Sequence, residues 1–285
     1  MKTASREAHQ AALLKLLKEF DRVCSAVGVK YQLFAGTLLG SVRHKGFIPW
    51  DDDLDILMLR EDYDKFLREA EKYLDSETFF LQKEFSEHWP MFFSKLRLNN
   101  TACMEKYRPK DKLTHQGIYI DIFPCDDAKE SEVGKKIQFL ASKVVIAKSL
   151  YRRGYETKSA KKRLFMAACR LLPMKLFLKI AKSGKKNGTY LHSFFAAAHS
   201  YSKNVYTRSL LTNQALGEFE GGSYPIVADY DTLLTKLYGE YMVLPKEEER
   251  AVKQHAFFVD TENSYENYLD LANGIEFEVL PKSIR

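Results

Sequence analysis

Apolar residues recur at helical spacing along residues 5–27, with charged residues on the opposite face. This pattern predicts an amphipathic helix that packs on a core. The same spacing predicts further helices at 61–74, 131–152, 160–182, 188–200 and 229–238. Pro173 is expected to kink or end the helix that contains it. Apolar runs predict strands at 31–34, at the end of 48–59, at 79–85, 91–98 and 117–123, and around 219–227, with Pro124 ending the fifth of them.

The order of these elements predicts an α+β fold in which helices flank a mixed sheet. We expect a core unit over residues 1–127, and a helical region with a C-terminal segment over 128–285 that packs back on it. The chain has 285 residues, of which 45% are hydrophobic and 29% charged, and this composition excludes collagen-like, coiled-coil and largely disordered classes. Its four cysteines are too few and too widely spaced for a disulfide framework. No apolar run is long enough to predict a signal peptide or a membrane-spanning helix.

Charge is distributed unevenly along the chain, although the net charge is only +6. Between Lys143 and Lys186 there are 14 Lys or Arg residues and one acid, Glu156, so this segment is strongly basic and the remainder is acidic. A basic surface on an otherwise acidic protein indicates a polyanionic partner, either a membrane surface or a nucleic acid.

The most informative stretch is 36–56, which ends in four carboxylates within five residues. If these acids lie in a strand, Asp53 and Asp55 share one face, with Cα atoms roughly 7 Å apart. Their oxygens then suit one or two Mg²⁺ or Mn²⁺ ions. A solvated acidic loop is the alternative, but the apolar residues that follow favour a core strand, where unpaired carboxylates are costly. An EF-hand loop is excluded because Ile56 stands where glycine is required.

A further acid, Asp121, lies inside the apolar run 118–123. A structural hydrogen bond or ion pair is one interpretation of a carboxylate in such a strand. The other is that Asp121 joins Asp53 and Asp55 in a three-carboxylate metal site. Upstream, Gly40-Ser41 can offer N–H groups and a hydroxyl to phosphate oxygens, a weak signal that gains weight only from the acids that follow.

These residues resemble the LicD family of the DNA polymerase β-like nucleotidyltransferase superfamily. The superfamily pattern of Gly-Ser at a helix start, an Asp-x-Asp strand and a later carboxylate resembles Gly40-Ser41, Asp53-x-Asp55 and Asp121. The family's own blocks resemble residues 36–40, 43–53, 116–124, 219–221 and 238–245, followed by Arg250 and His255. The resemblance implies a nucleotidyltransferase-like sheet, with a catalytic core in 1–127 and an added basic helical region.

The resemblance also implies an activity. LicD proteins transfer phosphocholine from CDP-choline to a hydroxyl of a bacterial cell-surface glycan, so the expected acceptor is a teichoic acid or lipopolysaccharide precursor and the expected product is CMP. Transfer of glycerol phosphate or ribitol phosphate from a CDP-linked donor is the alternative. Asp53, Asp55 and Asp121 would be the catalytic carboxylates and would hold Mg²⁺, or Mn²⁺, while Asp121 could also activate the acceptor hydroxyl.

Several other residues are candidates for substrate contacts. Gly40 and Ser41 would bind phosphate, and Arg43 and His44 would stabilise charge, although a surface ion pair is the alternative for Arg43. Lys95 and Arg97 share a strand face and could neutralise phosphate, unless that face is a solvated sheet edge. Aromatic faces hold quaternary ammonium groups such as choline. The aromatic candidates are Trp50 and Tyr119, with Trp89, Tyr107 and Phe123, and core packing is the alternative for each.

Apolar residues alternate with Lys and Arg in 143–186, as in helices that lie on a membrane surface. A lipid-linked glycan acceptor at the cytoplasmic leaflet would suit such a surface, so we expect a cytoplasmic protein peripheral to the inner face of the membrane. The alternative is that the apolar stripes face the core and the basic side is solvated. A nucleic-acid nucleotidyltransferase and a catalytically silent glycan-binding scaffold are less favoured, because no aromatic–basic motif is present and all three carboxylates are retained. We therefore expect no nucleic-acid partner.

Overall fold

The computed structural model describes residues 3–105, 109–196, 200–246 and 256–269. The helices of this part are α1 (Arg6–Val27), α2 (Ala35–His44), α3 (Arg60–Glu69), α4 (Glu132–Arg153), α5 (Ala160–Cys169), α6 (Met174–Ala181), α7 (Arg208–Thr212) and α8 (Tyr230–Tyr238). The strands are β1 (Gln32–Leu33), β2 (Asp55–Leu59), β3 (Phe79–Gln82), β4 (Ser94–Leu98), β5 (Ala102–Glu105), β6 (Tyr119–Asp127), β7 (Tyr190–His192), β8 (Val205–Thr207), β9 (Gln214–Phe219), β10 (Gly222–Val227) and β11 (Ala256–Asp260).

The main sheet is mixed and has the order β1-β2-β6-β4-β3, with β7 pairing with the far end of β6 and β8 pairing with β7. Strands β2 and β6 are parallel, whereas the other pairs of this sheet are antiparallel. Two antiparallel ribbons, β9-β10 and β5-β11, lie outside it. A mixed sheet flanked by helices confirms the predicted α+β class.

Helix α1 covers one face of the sheet because its apolar residues recur at helical spacing. Leu13, Leu16, Leu17 and Phe20 are fully buried there. Ser5 begins the helix, since its hydroxyl accepts a hydrogen bond from Ala8 N at 3.2 Å. Gly28 ends it with a left-handed φ of 69° that glycine adopts without strain. Helices α3, α4 and α8 also confirm the sequence predictions, as does the break at Pro173 between α5 and α6.

Two predictions about single elements are wrong. The segment 188–200, predicted to be helical, instead contains β7, because the buried Leu191 and His192 pair with β6 on one side and β8 on the other. Pro124 does not end its strand, since β6 continues to Asp127. Along one edge of β6, pairing with β4 stops at Ile122 and pairing with β7 begins at Asp126. Pro124 lies in the gap between these two pairings, so no partner strand there requires the N–H that proline lacks.

The basic segment is only partly a surface. Val144 and Val145 of α4 are buried against α5 and α6, as the core-facing interpretation predicted, whereas leucines of α5 and of the segment after it are exposed. No helix of the described residues is long and apolar enough to cross a membrane. The division of the chain at residue 127 stays a prediction.

Candidate active site

The parallel pairing of β2 with β6 brings two of the three predicted carboxylates together. Asp55 and Asp121 are register partners in this pair, so they stand side by side on neighbouring strands. The Asp121 backbone N–H donates to Leu54 O at 2.9 Å, and the Asp55 N–H donates to Thr37 Oγ1 at 2.8 Å. Strand β2 begins at Asp55, so Asp53 lies before the strand. The predicted alternation of strand faces therefore does not determine where the Asp53 side chain lies.

A cavity of about 400 Å³ opens over Asp53 and Asp55, whereas Asp121 lies beside Asp55 and is not part of the lining. It is bounded by the first turn of α2, the acidic segment before β2, and the segment after α8. Its lining includes Gly36, Arg43, Trp50, Asp51, Asp53, Asp55, Tyr238, Glu240 and Tyr241. Asp53 and Asp55 therefore face the same space although only one of them lies in a strand. Asp52 points elsewhere, since its Oδ2 accepts a hydrogen bond from Ala256 N at 3.1 Å.

The segment after α8 is held over the cavity by polar contacts. Arg43 Nη1 donates to Tyr241 O at 2.5 Å, which links α2 to this segment. The Tyr241 hydroxyl donates to Asp231 Oδ1 at 2.6 Å. Gly239, with φ 74°, makes the turn that leads out of the helix. Sequence reasoning gave Tyr238, Glu240 and Tyr241 no role, although the family block at 238–245 was a signal that could have found them.

Burial and mutual repulsion act on the carboxylates of this site. Burial, and then the charges of Asp53 and Asp121, raise the pKa of Asp55 well above its usual range. Burial also raises the pKa of Asp121, although Lys95 opposes the shift. Tyr238 is 41% exposed, yet burial of its hydroxyl and the nearby charges of Asp55 and Asp51 raise its pKa.

Lys95 lies beneath the site rather than at a sheet edge, because β4 runs between β6 and β3. Its Nζ is 3.0 Å from Asp121 Oδ1, 3.5 Å from Glu105 Oε1 and 3.0 Å from the centre of the Tyr119 ring. Arg153 also pairs with Glu105. The alternative of a solvated edge is therefore wrong, since Lys95 is only 1% exposed.

The carboxylate oxygens of this site are the kind of ligand that a hard divalent cation prefers. Asp121 Oδ1 is buried and accepts no directed hydrogen bond despite its contact with Lys95. The pKa of Asp55 is raised by burial and then by repulsion from the neighbouring acids, and a bound cation would relieve that repulsion. Within the described ranges no three His, Cys, Asp or Glu side chains are already arranged around a metal position. Mg²⁺ commonly takes one or two protein carboxylates together with waters and substrate phosphates, which fits this arrangement.

The structure differs from the prediction for Gly40 and Ser41. Both lie in the middle of α2 and not at its start. A side chain at Gly40 would meet Gly46 O at 2.4 Å, so this glycine serves close packing. Ser41 is 1% exposed and its hydroxyl donates to Glu218 O at 2.7 Å, so a phosphate contact would require that bond to break.

The first turn of α2 borders the cavity, whereas Gly40 and Ser41, the predicted phosphate contacts, do not. Ala35 begins it with a φ of 46°, an unusual value for a residue other than glycine. A side chain at Gly36 would stand 2.8 Å from Asp51 Oδ2, so glycine leaves room for that acid. Backbone N–H groups at a helix start suit phosphate oxygens. The short Ala-Gly-Thr run before Leu38 was the available sequence signal.

Most other candidates lie outside the cavity lining. Arg97 is buried and donates to Gln82 Oε1 at 2.6 Å and to Gly117 O at 2.7 Å, so its donors serve the fold. His44 packs edge-on to Trp50, and burial and Arg43 lower its pKa. The buried aromatic candidates are Tyr119, Trp89 and Phe123, of which the first two have cations over their rings. Tyr107, Arg250 and His255 lie outside the described residues.

Comparison with known proteins places this site in a family. Residues 28–165, which include α2, β2, β4 and β6, match the model of the "LicD/FKTN/FKRP, nucleotidyltransferase domain". This part of the chain is a LicD-family domain. The whole chain is 26% identical over 260 residues to the lipopolysaccharide cholinephosphotransferase LicD of Haemophilus influenzae, an alignment that covers 88% of this chain and 96% of that protein.

The LicD family also includes more distant relatives of this chain. The human and mouse ribitol 5-phosphate transferases FKRP are 45% identical to it over 53 residues, which is 17% of this chain and 11% of those proteins. The resemblance to the LicD family that the sequence analysis identified is confirmed, and the chain is a LicD-type transferase.

Proposed function

We propose that this LicD-family enzyme transfers phosphocholine from CDP-choline to a hydroxyl of a bacterial cell-surface glycan precursor, of the lipopolysaccharide or teichoic acid type. The observation that carries the proposal is the cavity in which carboxylates and aromatic rings face one space. Similarity to a lipopolysaccharide cholinephosphotransferase over nearly the whole of both chains supports the same substrate class. A lipid-linked acceptor would bring the enzyme to the cytoplasmic face of the membrane.

In the proposed reaction, the acceptor oxygen forms a bond to the choline-bearing phosphorus, and the bond from that phosphorus to the bridging oxygen breaks. CMP leaves with that oxygen. Asp53, Asp55 and Asp121 would hold Mg²⁺, which when bound neutralises charge on the pyrophosphate and on the leaving group. Asp121 has a raised pKa, which suits it to accept the proton of the acceptor hydroxyl. The position of Asp55 and Asp121 side by side on adjacent parallel strands supports this assignment.

The chain's own groups would orient the donor. The first turn of α2 offers N–H groups to phosphate oxygens, and the Arg43 guanidinium lies at the same wall of the cavity. Burial lowers the pKa of Arg43, but an arginine remains charged at neutral pH. Its bond to Tyr241 O fixes the guanidinium in place before substrate binds.

The choline group would bind to the aromatic wall. Trp50, Tyr238 and Tyr241 line the cavity together with Glu240 and Asp51. Aromatic faces with a nearby carboxylate are the usual surroundings of a quaternary ammonium. The structure changes the set of candidates, since the face of Tyr119 is covered by Lys95 while Tyr238 and Tyr241 border the cavity. Ribitol phosphate is the second candidate, on the similarity to FKRP over 53 residues.

The test is CMP release from CDP-choline, CDP-ribitol and CDP-glycerol, with Mg²⁺ or with EDTA, alongside calorimetric binding of each donor. We expect metal-dependent release from CDP-choline, and its loss in Asp55→Asn. Glu77→Gln makes the same acid-to-amide change at an exposed position and should leave the rate unchanged. Preference for CDP-ribitol would change the substrate and keep the reaction. Failure to bind any CDP-linked alcohol would refute the proposal.

A further inference from the structure

Helix α5 and the residues up to the start of α6 present an exposed apolar surface that is surrounded by basic side chains. Of the ten residues of α5, only Met166 and Cys169 are buried, against α4. Leu164 points roughly to the opposite side of the helix from Met166 and is 74% exposed, and Phe165 beside it is 48% exposed. Beyond the helix, Leu171 is 83% and Leu176 50% exposed. The α5 surface is defined as Leu164, Phe165, Leu171, Leu172 and Leu176 with the exposed basic residues before and between them, Lys161, Lys162, Arg163, Arg170 and Lys175.

The conformation that exposes these leucines is held from inside the fold. Lys148 of α4 is 7% exposed, and its ammonium donates to Arg170 O at 2.8 Å and also to Leu172 O. These bonds satisfy carbonyls at the end of α5, where helix hydrogen bonds run out. Ser159 begins the same helix, since its hydroxyl accepts a hydrogen bond from Lys162 N. Lys148 thus holds the backbone of Arg170 and Leu172, the two neighbours of Leu171, and the Leu171 side chain between them stays in solvent.

The charge around these apolar residues has one sign. Between Thr157 and Tyr190 the chain has ten Lys or Arg residues and no acid. Lys161, Lys162 and Arg163 precede Leu164 directly, and all three are exposed. In α4, by contrast, the exposed Val133 stands next to an acid, Glu132. Further along α4 the exposed Ile137 and Leu140 also stand among lysines, but among the described residues the two most exposed large apolar side chains, Leu171 at 83% and Leu164 at 74%, lie on the α5 surface.

We propose that the α5 surface docks on an anionic phospholipid bilayer. Leucines and a phenylalanine would enter the boundary between headgroups and acyl chains, while the lysines and arginines around them contact anionic headgroups. A second copy of this chain fits poorly, because two such faces would bring like charges together. A nucleic acid would satisfy the cations but would leave the leucines without an apolar layer. The proposal adds a lipid surface to the proposed function and does not depend on which donor is used.

The test is co-sedimentation of the full chain with vesicles of phosphatidylcholine alone and of phosphatidylcholine with 30% phosphatidylglycerol, at low and high salt. We expect binding to the anionic vesicles that weakens with salt. Lys161→Gln, Lys162→Gln and Arg163→Gln together should weaken it about 100-fold. The matched control, Lys18→Gln, Lys30→Gln and Arg68→Gln together, neutralises two lysines and one arginine that are exposed elsewhere and should have a small effect.

A second pair of variants tests the apolar part of the surface. Leu164→Gln with Leu171→Gln should weaken vesicle binding about tenfold, because two apolar side chains no longer enter the interface. Leu113→Gln with Leu216→Gln changes leucines that are equally exposed, at 70% and 71%, and should leave binding unchanged. Circular dichroism checks that all variants fold, and the positions are exposed, so folding should be retained.

Three outcomes would overturn the proposal. One is equal binding to neutral and anionic vesicles, and another is equal loss in the test and control variants. The third is self-association of the chain that Leu171→Gln abolishes, without vesicle binding, which would mean that a second copy occupies the surface. CMP release from soluble donor without vesicles is measured in parallel, so failure of lipid binding and failure of the proposed transfer are separate results.

Discussion

Strand β6 has a buried aspartate on each of its faces, and the two have opposite electrostatic surroundings. At one end, Asp126 accepts two hydrogen bonds from Arg60, at 2.7 Å and 3.1 Å. Burial acts to raise the pKa of Asp126, but Arg60 outweighs it and the pKa is lowered. We call Asp126, Arg60, Glu84 and Lys182, which are joined by ion pairs, the Asp126 cluster.

At the other end, Asp121 lacks such a partner. Its cation, Lys95, is shared with Glu105, and the neighbouring carboxylate across the strand pair is Asp55. We call Asp121, Asp55, Lys95 and Glu105 the Asp121 cluster. Here the pKa of both aspartates is raised, because burial and repulsion exceed what Lys95 supplies. A pair of repelling acids, one of which lines a cavity, is typical of a functional site, whereas a bidentate arginine pair is typical of a structural one.

The largest effect expected from this comparison is on activity at the Asp121 cluster. Asp121→Asn keeps the shape of the side chain and removes its charge, so metal-dependent CMP release should fall about 10³-fold. Stability should fall less than on loss of the Asp126 carboxylate, since the change relieves repulsion with Asp55 and Lys95 keeps its ion pair with Glu105. Steady-state rates and urea unfolding of the same preparation test both parts. A rate close to that of the unmodified enzyme would contradict the assignment of Asp121.

The Asp126 cluster should respond in the opposite way. Asp126→Leu leaves Arg60 buried with fewer partners and should lower the free energy of unfolding by about 3 kcal/mol. CMP release per folded molecule should stay within about twofold, because no member of this cluster lines the cavity. Adding Arg60→Met should recover part of the stability, because no unpaired charge then remains. The double variant is assayed under conditions in which all of it is folded. A loss of CMP release there would contradict the distinction between a catalytic Asp121 cluster and a structural Asp126 cluster.

The sequence predicts the Asp121 cluster better than the Asp126 cluster for a physical reason. A lone acid in an apolar strand identifies Asp121 from local pattern alone. Asp126 follows Cys125 in the same strand, but its partner Arg60 is distant in sequence, and no local rule pairs them. The same limit left Lys95 open between a phosphate contact and a solvated sheet edge, because no local rule places β4 between β6 and β3.

The long amphipathic helices were predictable from the sequence, whereas α2 was not. Residues 36–46 show no helical pattern of apolar residues, and the helix start at Gly40-Ser41 that the family resemblance implies is wrong by about one turn. The true start depends on Ala35 at φ 46° and on space that Asp51 needs beside Gly36. Segment 188–200 was predicted to be helical, but the pairing of β7 with β6 overrides that pattern.

Acid should destabilise the fold through His192, which pairs with Asp126 across β6 and β7. Burial lowers the pKa of His192 to about 4 from its ordinary 6.5, although the charge of Asp126 and the 3.1 Å contact of Nε2 with Ala181 O oppose the shift. The unfolded chain takes up the proton first, so stability is lost as pH falls from about 6.5 towards 4. Between pH 6.5 and 5 the loss is about 2 kcal/mol.

His192→Gln isolates that contribution. The amide can donate to Ala181 O and does not titrate, so the free energy of unfolding should change less between pH 6.5 and 5 than in the unmodified chain. Between pH 7 and 8 the two proteins should show the same pH dependence. An unchanged acid response would assign the loss to other groups and would leave the Asp126 cluster without a pH signature.

The smallest expected effect concerns the aromatic wall beside the Asp121 cluster. Tyr238→Ala removes a ring that lines the cavity and should weaken CDP-choline binding about fivefold, or about 1 kcal/mol, because a cation–π contact is lost. Tyr238→Phe keeps the ring and should change the affinity less than twofold. Tyr73→Ala removes a tyrosine of similar exposure, 44%, far from the acids and should have no effect.

The comparison of donors makes this test specific for choline. If the Tyr238 ring binds the quaternary ammonium, Tyr238→Ala weakens CDP-choline and leaves CMP affinity unchanged, since CMP lacks that group. Equal weakening of both ligands in calorimetry would place the ring against the nucleotide instead. The Asp121 cluster would then serve a metal alone, and the choice between choline and ribitol would rest on other walls of the cavity.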